Sequence, residues 1–480
     1  MALVVAAGCA GIGRFARGGA RNLPLDFLVG YPLLGAACFL VGLVKVNVWT
    51  MGAVVLALGV LNVGRASARL PREGRAEARP TWSMLFVILI LGWGLLAAMA
   101  PPSSHAELAH HLAIPHAWVL EGRAVALPLL EQSYRPLGIE SADLPALALL
   151  GPSGGGVASH LLHWLAAVAT TWLIARRTQS WLMTAAVVTT PALAIAAGGS
   201  LLDWPLLGLF VATLEDDEPS AATASGLLTS FLFLPFAVLV WAVHRKRLRW
   251  IVLAGLLFYV RSFPPFIGFG IYELTLADFI FLPGSVDEAA GASILTMPAF
   301  ASGAVGIGSA IVAIALFFLG PSARVVVPYL AVASLSGAPA LKKRWIAVVV
   351  TIAVALQTLT AITYVSKPAL HHTAIAWLNQ TLPGDARTLV IGTTETYWLT
   401  RRARAGNGPR VSRYLDVPAP EALRARLAED DITHVAVVTA RRNEERQTLS
   451  PAAQRMLAVT LDRYAANVTS RGDVTLFELR

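Results

Sequence analysis

The chain reads Pro101-Pro-Ser-Ser-His-Ala-Glu-Leu-Ala-His-His-Leu-Ala-Ile-Pro115 directly after a long apolar run, and the polar segment that begins there continues to Gly155. Apolar segments that approach the roughly 20 residues required to cross a bilayer lie on both sides of it. Ionisable side chains beside a bilayer often handle a substrate, although a solvated loop is the simpler alternative. The ionisable side chains of this segment include His105, Glu107, His110, His111, His116 and Glu140.

The composition indicates a polytopic membrane protein. Hydrophobic residues make up 56% of the 480 residues and charged residues 14%, and the mean hydropathy is +0.63. Soluble domains usually carry about 25% charged residues. The net charge of +9 lies largely in short loops, which fits anchoring on the inner side of a membrane and argues against a nucleic-acid partner.

The charge distribution also divides the chain. Residues 367–480 hold 16 of the 38 basic and 12 of the 29 acidic residues. We therefore expect a mostly α-helical polytopic membrane domain at 1–366, with an outer loop at 101–155, followed by a small α/β soluble domain at 367–480. The membrane domain should contain about ten to twelve helices.

Eight apolar segments are candidate membrane spans, and four shorter ones are candidate half-spans, tilted pieces or re-entrant elements. The spans are Phe27–Val44, Trp49–Val63, Trp82–Ala100, Val157–Ala175, Trp181–Leu202, Ala221–Val243, Ile294–Gly320 and Trp345–Val365. The shorter segments are Met1–Ile12, Trp204–Leu214, Ile251–Val260 and Val325–Leu341.

Basic residues in short loops orient these spans. Arg14, Arg65–Arg79 and Arg176 are expected on the inner side, which places the loop 101–155 and Asp203 on the outer side. In a bacterium the outer side is the periplasm. Beyond Asp203 two arrangements stay open, because either a segment is re-entrant or Ala221–Val243 breaks near Pro235.

The tail alternates helical and strand patterns. Helices are predicted at Leu370–Leu382, Pro420–Leu427 and Pro451–Ala465. Strands are predicted at Thr388–Gly392, Ile432–Val438 and Val474–Leu479. This alternation favours a small three-layer domain with a mostly parallel sheet.

Glu107 and His111 are the first candidates for chemistry. We interpret Ser104–Leu112 as one or two helical turns that end at Pro115. In such a helix Glu107 and His111 are at positions i and i+4 on one face, with His110 beside them. A carboxylate beside imidazoles suits general-base catalysis, or holding a divalent cation near a phosphate. The order is not His-Glu-x-x-His, which argues against a zinc peptidase. A surface helix with incidental histidines is the alternative.

Two further ionisable residues lie at predicted membrane edges. Asp203 opens an apolar segment, where it is either a functional group or a helix cap. Arg261 is either a ligand for a lipid-borne phosphate or a side chain that reaches the headgroups. The run Gly151-Pro-Ser-Gly-Gly-Gly lacks a following Gly-Lys-Ser/Thr and is interpreted as a hinge.

Several motifs resemble those of bacterial GT-C membrane glycosyltransferases, the relatives of protein mannosyltransferases and of the lipid A aminoarabinose transferase. In the loop they are Leu108-Ala-His-His-Leu-Ala-Ile-Pro115, Glu121-Gly-Arg123 and Pro136-Leu-Gly-Ile-Glu140. Later ones are Thr190-Pro191 through Asp203-Trp-Pro-Leu206, Trp377-Leu-Asn379, Pro383–Gly392, Ile432-Thr-His-Val435 and Val474–Leu479. Relatives usually carry Asp at the position of Ala106 and Tyr at that of His110.

The resemblance implies an inverting transferase that takes a hexosyl or pentosyl group from a polyprenyl-phosphate donor. Glu107 would deprotonate the acceptor, with His111 or His110 orienting it or holding a divalent cation; no cofactor or metal ligand is otherwise implied. Asp203 would act with them, and Glu140, Arg135 and Arg261 would bind the donor. These side chains should then converge on one pocket. The acceptor would be a lipid, a glycan or a protein. The protein would lie in the inner membrane, with its tail in the periplasm.

A non-catalytic relative that binds polyprenyl lipid or scaffolds envelope assembly is the second hypothesis, favoured by Ala106. A secondary transporter is a third, which the lack of an inverted repeat argues against.

Overall fold

The computed structural model describes residues 1–18, 22–63, 82–125, 127, 129–130, 133, 137–215, 220–244, 251–252, 297–318, 323–363, 372–406, 408–439 and 449–480. The predicted segment Ile251–Val260 and the start of Ile294–Gly320 lie almost entirely outside these residues.

The described part of the chain is mostly helical, with one small sheet near its end. The helices are α1 Ala2–Arg17, α2 Leu23–Val44, α3 Val48–Val63, α4 Trp82–Ala98, α5 Ala113–Glu121, α6 Leu144–Thr178, α7 Trp181–Val188, α8 Pro191–Ala196, α9 Asp203–Glu215, α10 Ser220–Thr229, α11 Leu234–His244, α12 Gly303–Phe318, α13 Ala323–Ser336, α14 Arg344–Thr363, α15 His372–Thr381, α16 Gly408–Leu415, α17 Pro420–Glu429 and α18 Pro451–Tyr464. The strands are β1 Arg387–Ile391, β2 Arg402–Ala405, β3 His434–Val438, β4 Ala465–Arg471 and β5 Val474–Leu479. The predicted fold class is confirmed.

Contacts divide the chain into two compact units. The helical unit consists of Met1–Leu40, Val48–Pro102 and Pro136–Ser366. The loop–tail unit consists of Val41–Asn47, Ser103–Arg135 and Lys367–Arg480. Much of the loop that the sequence assigned to the membrane domain therefore groups with the tail. The boundary predicted at 366/367 stays a prediction.

In the helical unit, α6 packs against α3, α4, α7 and α9. Helices α1 and α2 approach closely at Gly30, because a Cβ added there would lie 1.7 Å from the carbonyl oxygen of Cys9. A second centre is aromatic: Phe210 stacks on Phe236 at 4.2 Å and meets Tyr329 edge-on at 5.0 Å. Packing of small and aromatic residues thus holds this unit together.

The surface of the helical unit carries large apolar side chains. Trp49 is 82% exposed, Trp82 84% and Phe15 76%. Among the described residues, Leu23–Val44 and Glu140–Thr178 are long and apolar enough to cross a membrane by length and composition, and six shorter apolar helices accompany them. Exposed apolar surface of this extent is typical of a membrane or protein contact.

Three predicted spans differ from the observed helices. Trp181–Leu202 is wrong as one span, since α7 ends and α8 begins around Thr190, whose extended backbone is favoured before Pro191. The break near Pro235 is confirmed, because α10 ends at Thr229 and α11 begins at Leu234. Helix α6 begins well before Val157 and is kinked at Gly151 (φ 68°), which confirms the hinge.

The loop–tail unit contains the sheet, in the order β2-β1-β3-β5-β4. The prediction of a mostly parallel sheet is wrong: β2-β1-β3 is parallel, whereas β3-β5 and β5-β4 are antiparallel. The two-residue turn after Arg471 joins β4 to β5 directly, so no crossover helix separates them. Strand β2, helix α16 and strand β4 were not predicted.

The three-layer arrangement is confirmed by the two faces of β1 and β3. Leu389 and Val435 pack against α16, α17 and α18, and Leu129 of the loop joins this cluster. Val390 and Ala436 point to the opposite face and pack against α15. Alternate residues of a strand point to opposite faces, so both faces of the sheet are covered by helices.

Candidate functional site

The start of the loop segment is a capping box. Ser104 Oγ accepts a hydrogen bond from the backbone N–H of Glu107 at 3.4 Å, and Glu107 Oε2 accepts one from the N–H of Ser104 at 3.1 Å. Glu107 Oε2 also accepts a bond from the N–H of Ser103 at 3.3 Å. Reciprocal bonds of this kind satisfy N–H groups at a helix start. Glu107 is therefore buried, with 2% exposure, by a local structural role.

The helix that follows differs from the prediction. Glu107–His111 is a single π-helical turn, in which Leu112 N–H donates to Glu107 O at 3.0 Å. The element is therefore a π-turn, where one or two α-helical turns were predicted. The predicted stop at Pro115 is also wrong, since Pro115 lies in the first turn of α5, where its missing N–H is tolerated. Short π-helical turns are frequent at functional sites.

An imidazole–carboxylate pair lies beside this turn. His105 Nδ1 and Glu395 Oε1 are 2.6 Å apart. The side chain of His105 is 52% exposed and that of Glu395 only 4%. The ring of His110 stands nearly perpendicular to that of His105, with centroids 6.0 Å apart. Glu395 follows β1 and is far from His105 in the sequence, so no local motif indicated this pair. The burial of the Glu395 carboxylate could not be predicted from a sequence pattern either.

Further contacts fix the loop segment to the tail within this unit. Tyr397 N–H donates to Leu108 O at 3.2 Å. Arg387 of β1 pairs with Glu121 at the end of α5 at 3.0 Å, and both side chains are largely buried. The segment that carries His105 is thus held by backbone bonds and by an ion pair.

His116 packs edge-on against Tyr397, with ring centroids 5.3 Å apart. Burial lowers the pKa of His116 to about 4, and a hydrogen bond with the backbone of Tyr397 partly opposes this shift. The imidazole is neutral near pH 7, and its role is packing.

The helical unit holds the other predicted site residues. Glu140 is 4% exposed, in a 3-10 turn that ends at Asp143 just before α6. Asp203 is 7% exposed and is the first residue of α9, where the helix dipole favours a carboxylate. Its helix-terminal position fits the capping interpretation, and both readings of Asp203 stay predictions.

A buried polar cluster near Glu140 was not predicted. Tyr31 Oη lies 3.2 Å from His163 Nδ1, and the hydroxyls of Ser159 and Ser200 are 2.6 Å apart. Asp143, which is 1% exposed, lies close to the side chains of Tyr31 and Ser159. The sequence signal for Tyr31, Ser159 and His163 was their occurrence in apolar helices, where polar side chains are rarely accidental.

The predicted residues therefore divide between the two units. Glu107, His110 and His111 belong to the loop–tail unit, and Glu140 and Asp203 to the helical unit. Arg135 and Arg261 lie outside the described residues. Convergence on one pocket stays a prediction. Within the described ranges no group of three or more His, Cys, Asp or Glu side chains is arranged to hold a metal ion.

Comparison with solved structures identifies the architecture. The chain superposes on ArnT from Cupriavidus metallidurans bound to undecaprenyl phosphate with a TM-score of 0.50 and 15% identity, over 82% of this chain and 97% of that one. The fold of this chain is therefore similar to that of ArnT. The apo state of ArnT gives the same TM-score and coverage at 16% identity. No protein-family model and no curated protein matches the sequence. The resemblance inferred from the sequence motifs is thus confirmed for the fold.

Proposed function

We propose that this chain is an integral membrane glycosyltransferase that moves a hexosyl or pentosyl group from a polyprenyl-phosphate donor to a lipid, glycan or protein of the cell envelope. The fold carries the proposal, because its likeness to ArnT extends over 82% of this chain and 97% of that one. Undecaprenyl phosphate is bound by ArnT, and a polyprenyl phosphate is the corresponding partner proposed here.

The location follows from the same fold and from the apolar surface. The exposed tryptophans and leucines of the helical unit fit acyl chains, so membrane lipids are further partners. We place the protein in the bacterial inner membrane as a multi-pass protein, with the loop and the tail domain in the periplasm. Basic residues on the opposite side, such as Arg176 and Arg177, support this orientation.

The reaction requires a base and stabilisation of a leaving phosphate. An acceptor hydroxyl attacks the anomeric carbon, its proton passes to the base, and the bond to the phosphate oxygen breaks with inversion. The sequence assigns Glu107, His111 and Asp203 to catalysis, and His110, Glu140, Arg135 and Arg261 to the donor. A divalent cation held by His111 or His110 near the donor phosphate belongs to the same proposal.

Single substitutions test the proposal. Full-length protein in vesicles is given polyprenyl-phosphate hexoses and pentoses with tritiated sugars, together with an envelope extract as acceptor. We expect Glu107→Ala and Asp203→Ala each to lower transfer strongly, while Glu421→Ala, at an exposed ion pair with Arg463, leaves it intact. Full transfer in both site variants would contradict the assignment of these residues.

One observation favours a second function, that of a non-catalytic lipid-binding relative. Position 106 is alanine, and the neighbouring carboxylate of Glu107 is used in a capping box. The wild-type chain would then bind polyprenyl phosphate without turning over any donor in the same vesicles. Chase of the bound lipid-linked sugar into product would exclude this reading.

A further inference from the structure

A buried glutamate, Glu395, contacts a half-exposed histidine, His105, in the loop–tail unit. We propose that His105, oriented by Glu395, is the general base of the transfer reaction. This inference rests on the glycosyltransferase function proposed above. It assigns the proton transfer to a residue beside Ala106, where the sequence has no aspartate to perform it.

Glu395 is a buried carboxylate. Its side chain is 4% exposed, and its Oε2 is buried without a hydrogen-bond partner. Taking a carboxylate out of water is unfavourable unless a partner compensates. The imidazole of His105 is the partner that its Oε1 contacts, at 2.6 Å. A short, charge-assisted bond of this kind fixes the position of the ring.

The carboxylate of Glu395 fixes the tautomer of His105. An ionised carboxylate only accepts hydrogen bonds, so in this pair Nδ1 of His105 carries a proton and donates a hydrogen bond to Oε1 of Glu395. Nε2 is then the basic nitrogen of the ring. Since 52% of the side chain is exposed, the imidazole is accessible to an acceptor from solvent. A carboxylate that orients a histidine and stabilises the imidazolium is the arrangement of hydrolytic triads.

Neighbouring groups are less suited to this task. Glu107 is 2% exposed, and its Oε2 accepts bonds from two backbone N–H groups. His116 is 4% exposed and packs on Tyr397. His110 stands edge-on to His105 and can help to align its ring. His105 combines exposure with a buried anionic partner.

His105 takes up the acceptor proton during sugar transfer. The acceptor O–H gives its proton to Nε2 of His105, and the acceptor oxygen forms the bond to the anomeric carbon. The bond from that carbon to the phosphate oxygen breaks, and its electron pair leaves with the polyprenyl phosphate. The carboxylate of Glu395 stabilises the imidazolium, which then loses its proton to water.

His105→Gln tests the base, because glutamine can still donate to Glu395 but cannot accept the proton. In the vesicle assay with tritiated polyprenyl-phosphate hexoses and pentoses, we expect kcat to fall roughly 10²- to 10⁴-fold with an unchanged KM for the donor. Glu395→Gln should lower kcat strongly as well, because its amide can stabilise the wrong tautomer. Glu421→Gln, the same substitution at an exposed position of this unit, should leave kcat unchanged.

Chemical rescue separates catalysis from structure. His105→Gly should be inactive, and added imidazole should restore transfer in a concentration-dependent manner while Glu395 is present. The double variant with Glu395→Gln should respond much less. A purely structural role for His105 would give no recovery with imidazole.

The outcomes distinguish the inference from the function on which it rests. Active wild type together with near-normal kcat in His105→Gln or Glu395→Gln overturns the base assignment alone. A wild-type chain that binds polyprenyl phosphate but transfers no sugar overturns the glycosyltransferase function, and the base assignment with it. Loss in both variants, with rescue by imidazole, supports both.

Discussion

The loop–tail unit and the helical unit both bury carboxylates, but they surround them differently. In the loop–tail unit Glu395 contacts a half-exposed histidine and Glu121 contacts an arginine. In the helical unit Asp143 lies near the hydroxyls of Tyr31 and Ser159. The ion pairs described for the helical unit, such as that of Arg177 with Glu215, lie at helix ends.

The difference separates the two possible uses of a buried acid. A proton acceptor must exchange protons with water or substrate. The half-exposed His105 side chain links the buried Glu395 to solvent. The Asp143 cluster is covered on all its described members, with Tyr31 at 0% and Ser159 at 0% exposure. Burial of a carboxylate alone therefore does not indicate a reactive site, whereas a buried carboxylate that contacts an exposed titratable side chain does.

Arg387→Ala should produce the largest loss of stability. Removing one partner of a buried ion pair leaves Glu121 buried without its cation, which typically costs about 3–5 kcal/mol. We expect a corresponding fall in the free energy of unfolding of the loop–tail unit, measured by pulse proteolysis of the full chain. Arg463→Ala, at an exposed pair, should cost less than about 1 kcal/mol. Equal losses of unfolding free energy in Arg387→Ala and Arg463→Ala would contradict the expected difference between a buried and an exposed ion pair.

Acid should weaken the loop–tail unit through His116. Its pKa is lowered to about 4 in the folded state, below the ordinary value near 6.5, so the unfolded chain binds more protons between these values. The contribution of neutral His116 to the free energy of unfolding is complete above pH 6.5 and is lost as the pH falls toward 4. The difference corresponds to roughly 3 kcal/mol. Unfolding measured across this range should show a weaker pH dependence in His116→Gln than in wild type; identical slopes would contradict the assignment.

Gly30→Ala tests the packing that holds the helical unit. The new Cβ would lie 1.7 Å from Cys9 O, so α1 and α2 must separate, at a cost of about 1–3 kcal/mol. Thermal unfolding in detergent should report the loss. Gly92→Ala is a matched control in helix α4, since a Cβ there meets nothing within 4 Å. The control should keep or slightly raise the unfolding temperature, because alanine favours helices.

Local patterns predicted much of this architecture. Apolar runs located α2, α3 and α4 within a few residues, and the Gly151-Pro hinge coincides with the kink in α6. Strands β1, β3 and β5 carry enough buried apolar residues to be recognised. Strand β4 could not be predicted, because most of its residues are exposed and polar, so no hydrophobic alternation marks it.

The site was predicted less well because its decisive contact is long-range. The sequence identifies the loop that holds His105, but Glu395 is 290 residues away, and only the tertiary fold brings the two side chains together. Ser104-His-Ala-Glu107 is, in contrast, a local capping signature. That signature indicates a helix start at Glu107, whereas the ionisable side chains around it favour a catalytic role for the same carboxylate.

Glu107 gives the smallest expected effect on stability and the sharpest test of this choice. Glu107→Ala removes the capping carboxylate, which should cost about 1 kcal/mol. Glu107→Gln keeps a side-chain oxygen that can accept the same N–H bonds, so the helix start should persist. If capping is its role, Glu107→Gln retains most of the transfer activity while Glu107→Ala loses more. If Glu107 is itself the base, glutamine cannot take the proton, and both variants should be equally inactive although only the alanine variant unfolds more easily.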